Sequence, residues 1–222
     1  MKKIIIALIV IVALVLIWKG IQIKPDVNVP QASVSDTTTQ QTTPVTTSTT
    51  TSTVTTTTEI KTPLLGSTKQ VDNSKVAIEF TGFGPGKKHL GSFSDIRSNL
   101  KTDASSGLSG DITVGMASLT SDSDKLVTDL KSANFFDVAK YSTAKFTVKS
   151  FSHPSGCDTT ELCLPTMTGT MNIHGITKNI SFPIISTAEN YQATFNINMK
   201  EFGIDQKFAN EVIELRVTVP LK

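Results

Sequence analysis

The side chains best suited to nucleophilic, acid–base or metal chemistry are scattered along this chain. His89, His153 and His174 lie in three separate segments, and no nucleophile-elbow pattern accompanies them. Cys157 and Cys163 form a CxxxxxC spacing with only His153 nearby. A structural zinc ion takes about four ligands, and a redox pair normally forms a CxxC motif. The sequence therefore predicts no enzyme, no metal site and no cofactor.

The two cysteines are better suited to a structural role. Outside the cell, Cys157 and Cys163 can pair. The small loop closed by that bond would contribute about 2 kcal/mol in the chain-entropy model. Two free thiols are the alternative. We expect a disulfide between Cys157 and Cys163.

Charge argues against a nucleic-acid partner. Residues 64–222 carry 16 Lys+Arg and 16 Asp+Glu, so their net charge is zero. Proteins that bind nucleic acid usually present a basic patch or stripe to the phosphates. Pairs such as Lys87 and Lys88 are more typical of solvated turns.

The first 24 residues have the composition of a signal or an anchor. Residues 4–18 are wholly apolar and follow Lys2 and Lys3, which is the form of a secretory signal. Continuing through Ile23, the run reaches the length of about 20 residues that a membrane-spanning helix needs. The absence of a small-x-small cleavage pattern after Trp18 favours a transmembrane signal-anchor over residues 1–24. Either reading places the rest of the chain outside the cytoplasm, in the periplasm or at the cell surface.

Residues 25–63 read as a linker. Sixteen threonines occupy the 26 positions of 37–62. Such a tract lacks the apolar surface needed to offset chain entropy, so we expect a disordered, threonine-rich stalk that carries O-linked glycans or serves as a plain spacer. It would hold a folded domain, residues 64–222, about 30 Å from the membrane as a coil.

The folded domain is predicted to be all-β with one short helix. Apolar residues alternate with polar ones, which is typical of antiparallel strands with one buried face. At least seven such segments favour closure into a barrel, since a barrel has no open edge. The alternating segments are 76–80, 112–116, 145–149, 167–173, 180–184, 193–199 and 215–219.

One segment has helical spacing. Ser121 or Ser123 can cap a helix whose first turn holds acidic residues, and Leu126 and Leu130 share a face. We expect the helix to end near Ser132. The phenylalanine pair that follows, Phe135–Phe136, is predicted to plug one end of the barrel.

Four segments carry a family resemblance. They read KKHLGSF at 87–93, LVTDLKSANFFDV at 126–138, TGTMNIHGITKNI at 168–180 and EFGI at 201–204. In this order they resemble motifs of the YceI-like family of polyisoprenoid-binding proteins, which have a lipocalin-like antiparallel barrel. The resemblance covers about residues 67–222. Two features depart from the family's pattern. Met199 stands where the family often has Arg, and the cysteine loop resembles an insertion in a hairpin.

The resemblance implies binding without chemistry. A barrel of about eight strands can hold one small ligand, so an isoprenoid-type lipid is the expected partner, and a homodimer is a state that the family allows. The expected ligand contacts are the inward-facing apolar residues Ile78, Phe80, Ile112, Val114, Met116, Phe146, Val148, Met167, Met171, Ile173, Phe182, Ile184, Phe195, Ile197, Leu215 and Val217. A cell-surface interaction or adhesion module with a packed interior is the alternative, and a continuous cavity would favour the lipid carrier.

Overall fold

The computed structural model describes residues 25, 28–36, 69–103, 107–152, 164–205 and 210–222, and these residues are mostly strand. The strands are β1 (Ser33–Asp36), β2 (Ala77–Gly84), β3 (Lys87–Phe93), β4 (Ile96–Ser98), β5 (Lys101–Asp103), β6 (Gly107–Ser109), β7 (Asp111–Gly115), β8 (Leu119–Ser121), β9 (Thr143–Ser152), β10 (Thr166–Ile173), β11 (Ile176–Pro183), β12 (Ile185–Ser186), β13 (Asn190–Asn198) and β14 (Val212–Pro220). One α-helix, α1 (Asp124–Lys131), and two short 3-10 helices, Met116–Ser118 and Met199–Phe202, complete the described elements.

The strands form two six-stranded antiparallel sheets and one small hairpin. The first sheet has the order β1-β11-β10-β9-β7-β4, and the second has the order β12-β13-β14-β2-β3-β8. Strands β5 and β6 pair with each other. The prediction of an all-β, antiparallel fold with one short helix is confirmed.

Register explains why alternating sequences form these sheets. In the second sheet, Ala193 of β13 pairs with Val217 of β14, which pairs with Ile78 of β2. The apolar residues of three strands thus form one row on the inner face, while Thr194 and Arg216 pair on the other face. A shift by one residue would turn every apolar side chain of a strand outward, so burial of one face fixes the register.

The helix agrees with its sequence signals. The Ser123 hydroxyl accepts a hydrogen bond from the backbone N–H of Leu126 at 3.4 Å, Asp124 lies in the first turn, and Ser132 is the C-cap. Leu130 is buried, and Leu126 packs against the core. The apolar face of α1 is therefore turned towards the interior of the domain.

The structure corrects the expected linker at its N-terminal end. The sequence predicts disorder over residues 25–63, but residues 28–36 are part of the domain and include β1, which pairs with β11. Ala32 is 3% exposed, and Val34 packs against the core. The physical reason is that β11 would otherwise present an open edge, and two spaced apolar residues are enough to cover it.

This segment lies in the seam between the two sheets. Beyond its pairing with β11, it bonds to β13 of the other sheet at Asn196. The Ala32 N–H donates to the Asn196 carbonyl at 2.8 Å, and the Asn196 N–H donates to the Pro30 carbonyl at 2.7 Å. The Asn196 amide donates to the Val29 carbonyl at 3.1 Å. Residues 28–36 therefore join both sheets by main-chain hydrogen bonds.

The position of β1 changes what the threonine tract can do. Asp36, just before the tract, receives a hydrogen bond from Lys178 of β11. Lys69, the first described residue after the tract, donates to the Ala188 carbonyl at 3.1 Å. Because both flanking residues are bonded to the domain, the length of the tract between them cannot set how far the domain lies from residue 25.

Three expectations concern residues outside the described ranges. They are the signal-anchor over 1–24, disorder over 37–63, and the disulfide between Cys157 and Cys163, and all three stay predictions. Among the helices of the described residues, none is long and apolar enough to cross a membrane. The residues on either side of the cysteine segment do form a hairpin, since β9 pairs with β10 from Ser152 and Thr166 onward.

Candidate ligand-binding cavity

A cavity of about 420 Å³ lies between the two sheets. Its size falls in the range of about 300–1,000 Å³ that small-molecule sites occupy. Strands of both sheets, helix α1 and the residues after the helix all contribute to its wall, and most lining side chains are apolar. The interior is thus not filled by its own side chains.

Fifteen of the sixteen residues predicted as ligand contacts line this one cavity. Thirteen of them lie on strands, and Met116 and Ile184 come directly after strands β7 and β11, so period-two alternation found them all. Their contact with a ligand stays a prediction. The fifteen are Ile78, Phe80, Ile112, Val114, Met116, Phe146, Val148, Met167, Met171, Ile173, Phe182, Ile184, Phe195, Leu215 and Val217.

Ile197 is the exception. Its side chain is 0% exposed and belongs to the buried core, but it is not among the cavity-lining residues. Phe195, on the same face of β13, and Met199, in the 3-10 helix that follows, do line the cavity. Alternation identifies the face on which a residue lies, and it cannot distinguish a residue packed on all sides from one facing empty space.

Aromatic rings form much of the wall where the sheets meet. Phe182 of β11 stacks on Phe195 of β13, with ring centroids 4.1 Å apart and planes 9° from parallel. Phe146 lies 5.6 Å from Phe182. In the second sheet, the Phe80 and Phe93 ring centroids are also 5.6 Å apart. The stacked pair bridges the two sheets and gives the cavity a flat, rigid wall.

Helix α1 and the phenylalanine pair form another part of the wall. Leu126, Leu130, Phe135 and Phe136 all line the cavity. The Phe135 and Phe136 centroids are 5.0 Å apart, and Phe136 is 9% exposed. The pair therefore lies at the cavity, where the sequence placed it, although closure of one end by these rings stays a prediction.

Several lining residues were not found from the sequence. The apolar ones, such as Phe83 and Ile213, lie next to turns or at strand starts, where alternation is short. Tyr191 is buried, and burial raises the pKa of its phenol, so it faces the cavity as a neutral group. The other polar lining residues are His89, Asp129, Lys145, Gln192, Asn210 and Glu211.

Of the two histidines among the described residues, His89 is the one that lines the cavity. Its Nδ1 lies 2.9 Å from Oδ1 of Asp122, and the two side chains are 19% and 40% exposed. The hydrogen bond with His89, together with one from the Ser121 hydroxyl, holds the pKa of Asp122 below its usual value of 3.8. The segment GKKHLGSF did not reveal His89 as inward-facing, because its neighbours two positions away on β3, Lys87 and Gly91, have no apolar side chain.

The other described histidine, His174, has a structural setting. It is at positive φ (52°) in the turn between β10 and β11. Its ring lies against Tyr141, with centroids 4.3 Å apart. Within the described ranges, which leave out His153 and both cysteines, no three His, Cys, Asp or Glu side chains cluster as metal ligands would.

Comparison with known proteins identifies the family. The model of the YceI-like domain matches residues 67–222. The chain belongs to the YceI-like domain family. The match spans both sheets from Lys69 to the C-terminus, so the family domain includes the cavity but begins after β1.

Relatives and solved structures agree with this assignment. A UPF0312 protein of Pseudomonas putida is 29% identical over 142 residues, which cover 58% of this chain and 71% of that protein. The crystal structure of Burkholderia cenocepacia BcnA matches with a TM-score of 0.58 and 16% identity, over 68% of this chain and 99% of BcnA. The structure of a polyisoprenoid binding domain from Saccharophagus degradans matches with a TM-score of 0.51 and 10% identity, over 69% of this chain and 97% of that one. At such identities the structural matches show a shared fold.

Proposed function

We propose that this YceI-like protein is an extracytoplasmic, membrane-tethered binding protein that holds an apolar isoprenoid-type lipid between its two sheets. The observation that carries the proposal is the continuous apolar cavity of about 420 Å³. A structural neighbour is described as a polyisoprenoid binding domain. A packed interior would have favoured an adhesion module, and the cavity favours a carrier instead.

The cavity suits a long apolar chain for two physical reasons. Its lining offers few polar groups, so transfer of hydrocarbon from water into it is favourable. Four methionines, Met116, Met167, Met171 and Met199, line it. Their unbranched, rotatable side chains can adapt to the irregular outline of a methyl-branched chain. The family membership and this lining both support binding rather than catalysis.

The seam segment supports a lipocalin-like barrel. Residues 28–36 fill the space between β11 and β13, so the two sheets share a continuous hydrogen-bonded strip on that side. A closed wall keeps water from the lipid without a separate lid. We propose that β1 belongs to the barrel, although it precedes the residues matched by the family model.

The tether follows from the apolar run near the N-terminus. If residues up to Ile23 lie in the membrane, five Cα–Cα steps separate it from Asn28, which spans at most about 18 Å. The domain would then sit close to the bilayer rather than at the end of a stalk. Such a position suits a protein that collects its ligand from the membrane.

A pair of substitutions on opposite faces tests the binding mode. Ala193 lines the cavity and is 6% exposed, whereas Ala77 is exposed on the outer face of β2. With the full chain and geranylgeranyl methyl ether as probe, we expect Ala193→Phe to weaken binding tenfold or more and Ala77→Phe to leave it unchanged. Binding that Ala193→Phe leaves intact, or that is absent from the unsubstituted chain, would contradict the proposal.

A further inference from the structure

We infer that the cavity recognises a neutral lipid head bearing a hydroxyl group, through the Nε2 atom of His89. This inference rests on the proposed function and specifies the ligand that the cavity takes. The recognising group is a histidine that is hydrogen-bonded to a carboxylate and lines a mostly apolar cavity. No other described imidazole lines that cavity.

The orientation of His89 is fixed by its partner. Asp122 is ionised over the physiological range, and an ionised carboxylate only accepts hydrogen bonds. Nδ1 must therefore carry the proton that it donates to Oδ1 of Asp122 at 2.9 Å. In the neutral ring, Nε2 is then left as the acceptor. Among the described residues, none is hydrogen-bonded to Nε2.

The hairpin of β2 and β3 leaves space beside this nitrogen. His89 pairs across the strands with Gly82, and Gly84 lies next to it on the same strand face. A Cβ atom added at Gly82 would meet nothing within 4 Å, and one added at Gly84 would lie 3.4 Å from Nε2. Both glycines line the cavity. The absence of two side chains thus opens room for a ligand atom at Nε2.

The surrounding charges favour a neutral head over an anionic one. Two further carboxylates, Asp129 and Glu211, and one ammonium group, that of Lys145, line the same cavity. Lys145 lies 3.2 Å from Asp111, Lys125 lies 3.3 Å from Asp129, and Lys200 is paired with Glu211, so each of these cations is already engaged. Lys87 and Lys88 lie on the hairpin, exposed to solvent, with Lys88 Nζ 5.5 Å from the Phe83 ring centroid. A phosphate head at Nε2 of His89 would have to approach the Asp122 carboxylate, and Asp129 and Glu211 add two further negative charges to the wall of the same cavity.

The hydroxyl of a polyprenol-type alcohol matches this arrangement. Its O–H can donate to Nε2 while the isoprenoid chain lies among the apolar lining residues. An ether of the same chain has no proton to donate, and a quinone carbonyl would face the lone pair of Nε2. The site therefore selects a hydrogen-bond donor at the head of an apolar chain.

A competition experiment tests the inference. The full chain is equilibrated in detergent with equal amounts of geranylgeraniol, its methyl ether and its monophosphate, and the bound species are counted by native mass spectrometry. We expect the alcohol to exceed the ether by about fivefold, the gain of one hydrogen bond, and to exceed the phosphate. In His89→Leu the alcohol-to-ether ratio should fall to about one. Asp122→Asn, which no longer fixes the tautomer, should give an intermediate ratio.

Controls separate this inference from the proposed function. His174→Asn replaces the other described histidine with a residue that tolerates positive φ, and should leave the ratio unchanged. Equal binding of alcohol and ether by the unsubstituted chain, or a preference for the phosphate, would overturn the role of His89 and leave the lipid-binding proposal standing. Failure of all three probes to bind would overturn both.

Discussion

Two glycines on the β2–β3 hairpin have opposite surroundings. At Gly91, an added Cβ would lie 2.1 Å from Cζ of Phe80 and 2.5 Å from the Thr120 carbonyl. At Gly82 nothing lies within 4 Å. The first glycine lets the Phe80 ring lie directly over the backbone, and Gly169 does the same beneath Phe146 in the other sheet. These glycines shape the cavity wall by admitting rings that line it.

This contrast predicts that a glycine-to-alanine substitution lowers the stability of the fold at Gly91 but not at Gly82. Gly91→Ala should destabilise the fold by about 1–3 kcal/mol, because the new methyl group overlaps a ring and a backbone oxygen. Gly82→Ala should be close to neutral. Urea unfolding of the two variants measures the difference. Equal stabilities would show that the Phe80 ring is not held against Gly91.

Asp122 predicts a pH dependence at acid pH. Its pKa is lowered in the folded state, chiefly by the hydrogen bond with His89. A carboxyl with a lowered folded pKa stabilises the fold above its unfolded value of 3.8 and loses that contribution as the pH falls through the folded value. The stability advantage of the unsubstituted chain over Asp122→Asn should therefore be constant from neutral pH down to about 4 and shrink below it. Unfolding measured from pH 7 to pH 2.5 tests this, and a difference that grows towards acid pH would contradict it.

At the scale of elements, long alternating strands were predictable and short irregular ones were not. Strands β9, β10, β13 and β14 have eight to ten residues with one apolar face, and helix α1 has a cap, a dipole-matched first turn and a leucine pair. Strands of three residues, such as β4 and β8, hold too few residues to show a period. They form because neighbouring strands offer partners, which is tertiary context.

Strand β1 and His89 are two features that the spacing of residues along the sequence did not reveal. β1 lies beside a threonine tract whose composition dominates any window drawn around it, and only the open edge of β11 gives it a reason to form. His89 faces inward, but its neighbours two positions away on β3 are Lys87 and Gly91, so no apolar pattern marks the face. Both features depend on what lies across the sheet, and sequence spacing along one strand does not contain that information.

The seam predicts a local effect of proline. Ala32→Pro removes the N–H that donates to the Asn196 carbonyl at 2.8 Å, whereas Ala32→Gly keeps the N–H. We expect the amides of residues 178–181 in β11 to exchange with solvent about tenfold faster or more in the proline variant than in the glycine variant, consistent with a loss of about 1–3 kcal/mol. Hydrogen exchange followed by mass spectrometry gives the comparison. Identical exchange in both variants would mean that residues 28–36 do not hold the seam.

At the scale of the whole molecule, the position of β1 sets how far the domain would lie from a membrane that held the apolar run. Between the apolar run and Asn28 there are only a few residues, while the long threonine tract begins and ends next to residues bonded to the domain. The tract can thus carry glycans without setting the distance between the domain and the membrane. In our account, the short segment before Asn28 is the tether.

Insertions test which of these two segments sets the distance between the domain and the bilayer. Thirty Gly/Ser residues placed after Asp26 should move the domain away from the bilayer by a coil dimension of about 30 Å, whereas the same insertion after Thr50 should not. Energy transfer from a fluorophore at the C-terminus to acceptor lipids measures the distance. A loss of transfer with the second insertion, or none with the first, would restore the stalk as the element that sets the distance.

The central claim is that the cavity between the two sheets carries an isoprenoid-type lipid. The most direct test is mass spectrometry of the organic extract of the full chain purified from cell membranes, beside the Ala193→Phe variant purified in the same way. We predict about one isoprenoid molecule per chain in the unsubstituted protein and a severalfold loss in the variant. An extract that holds only bulk phospholipid, or the same isoprenoid in both proteins, would contradict the claim.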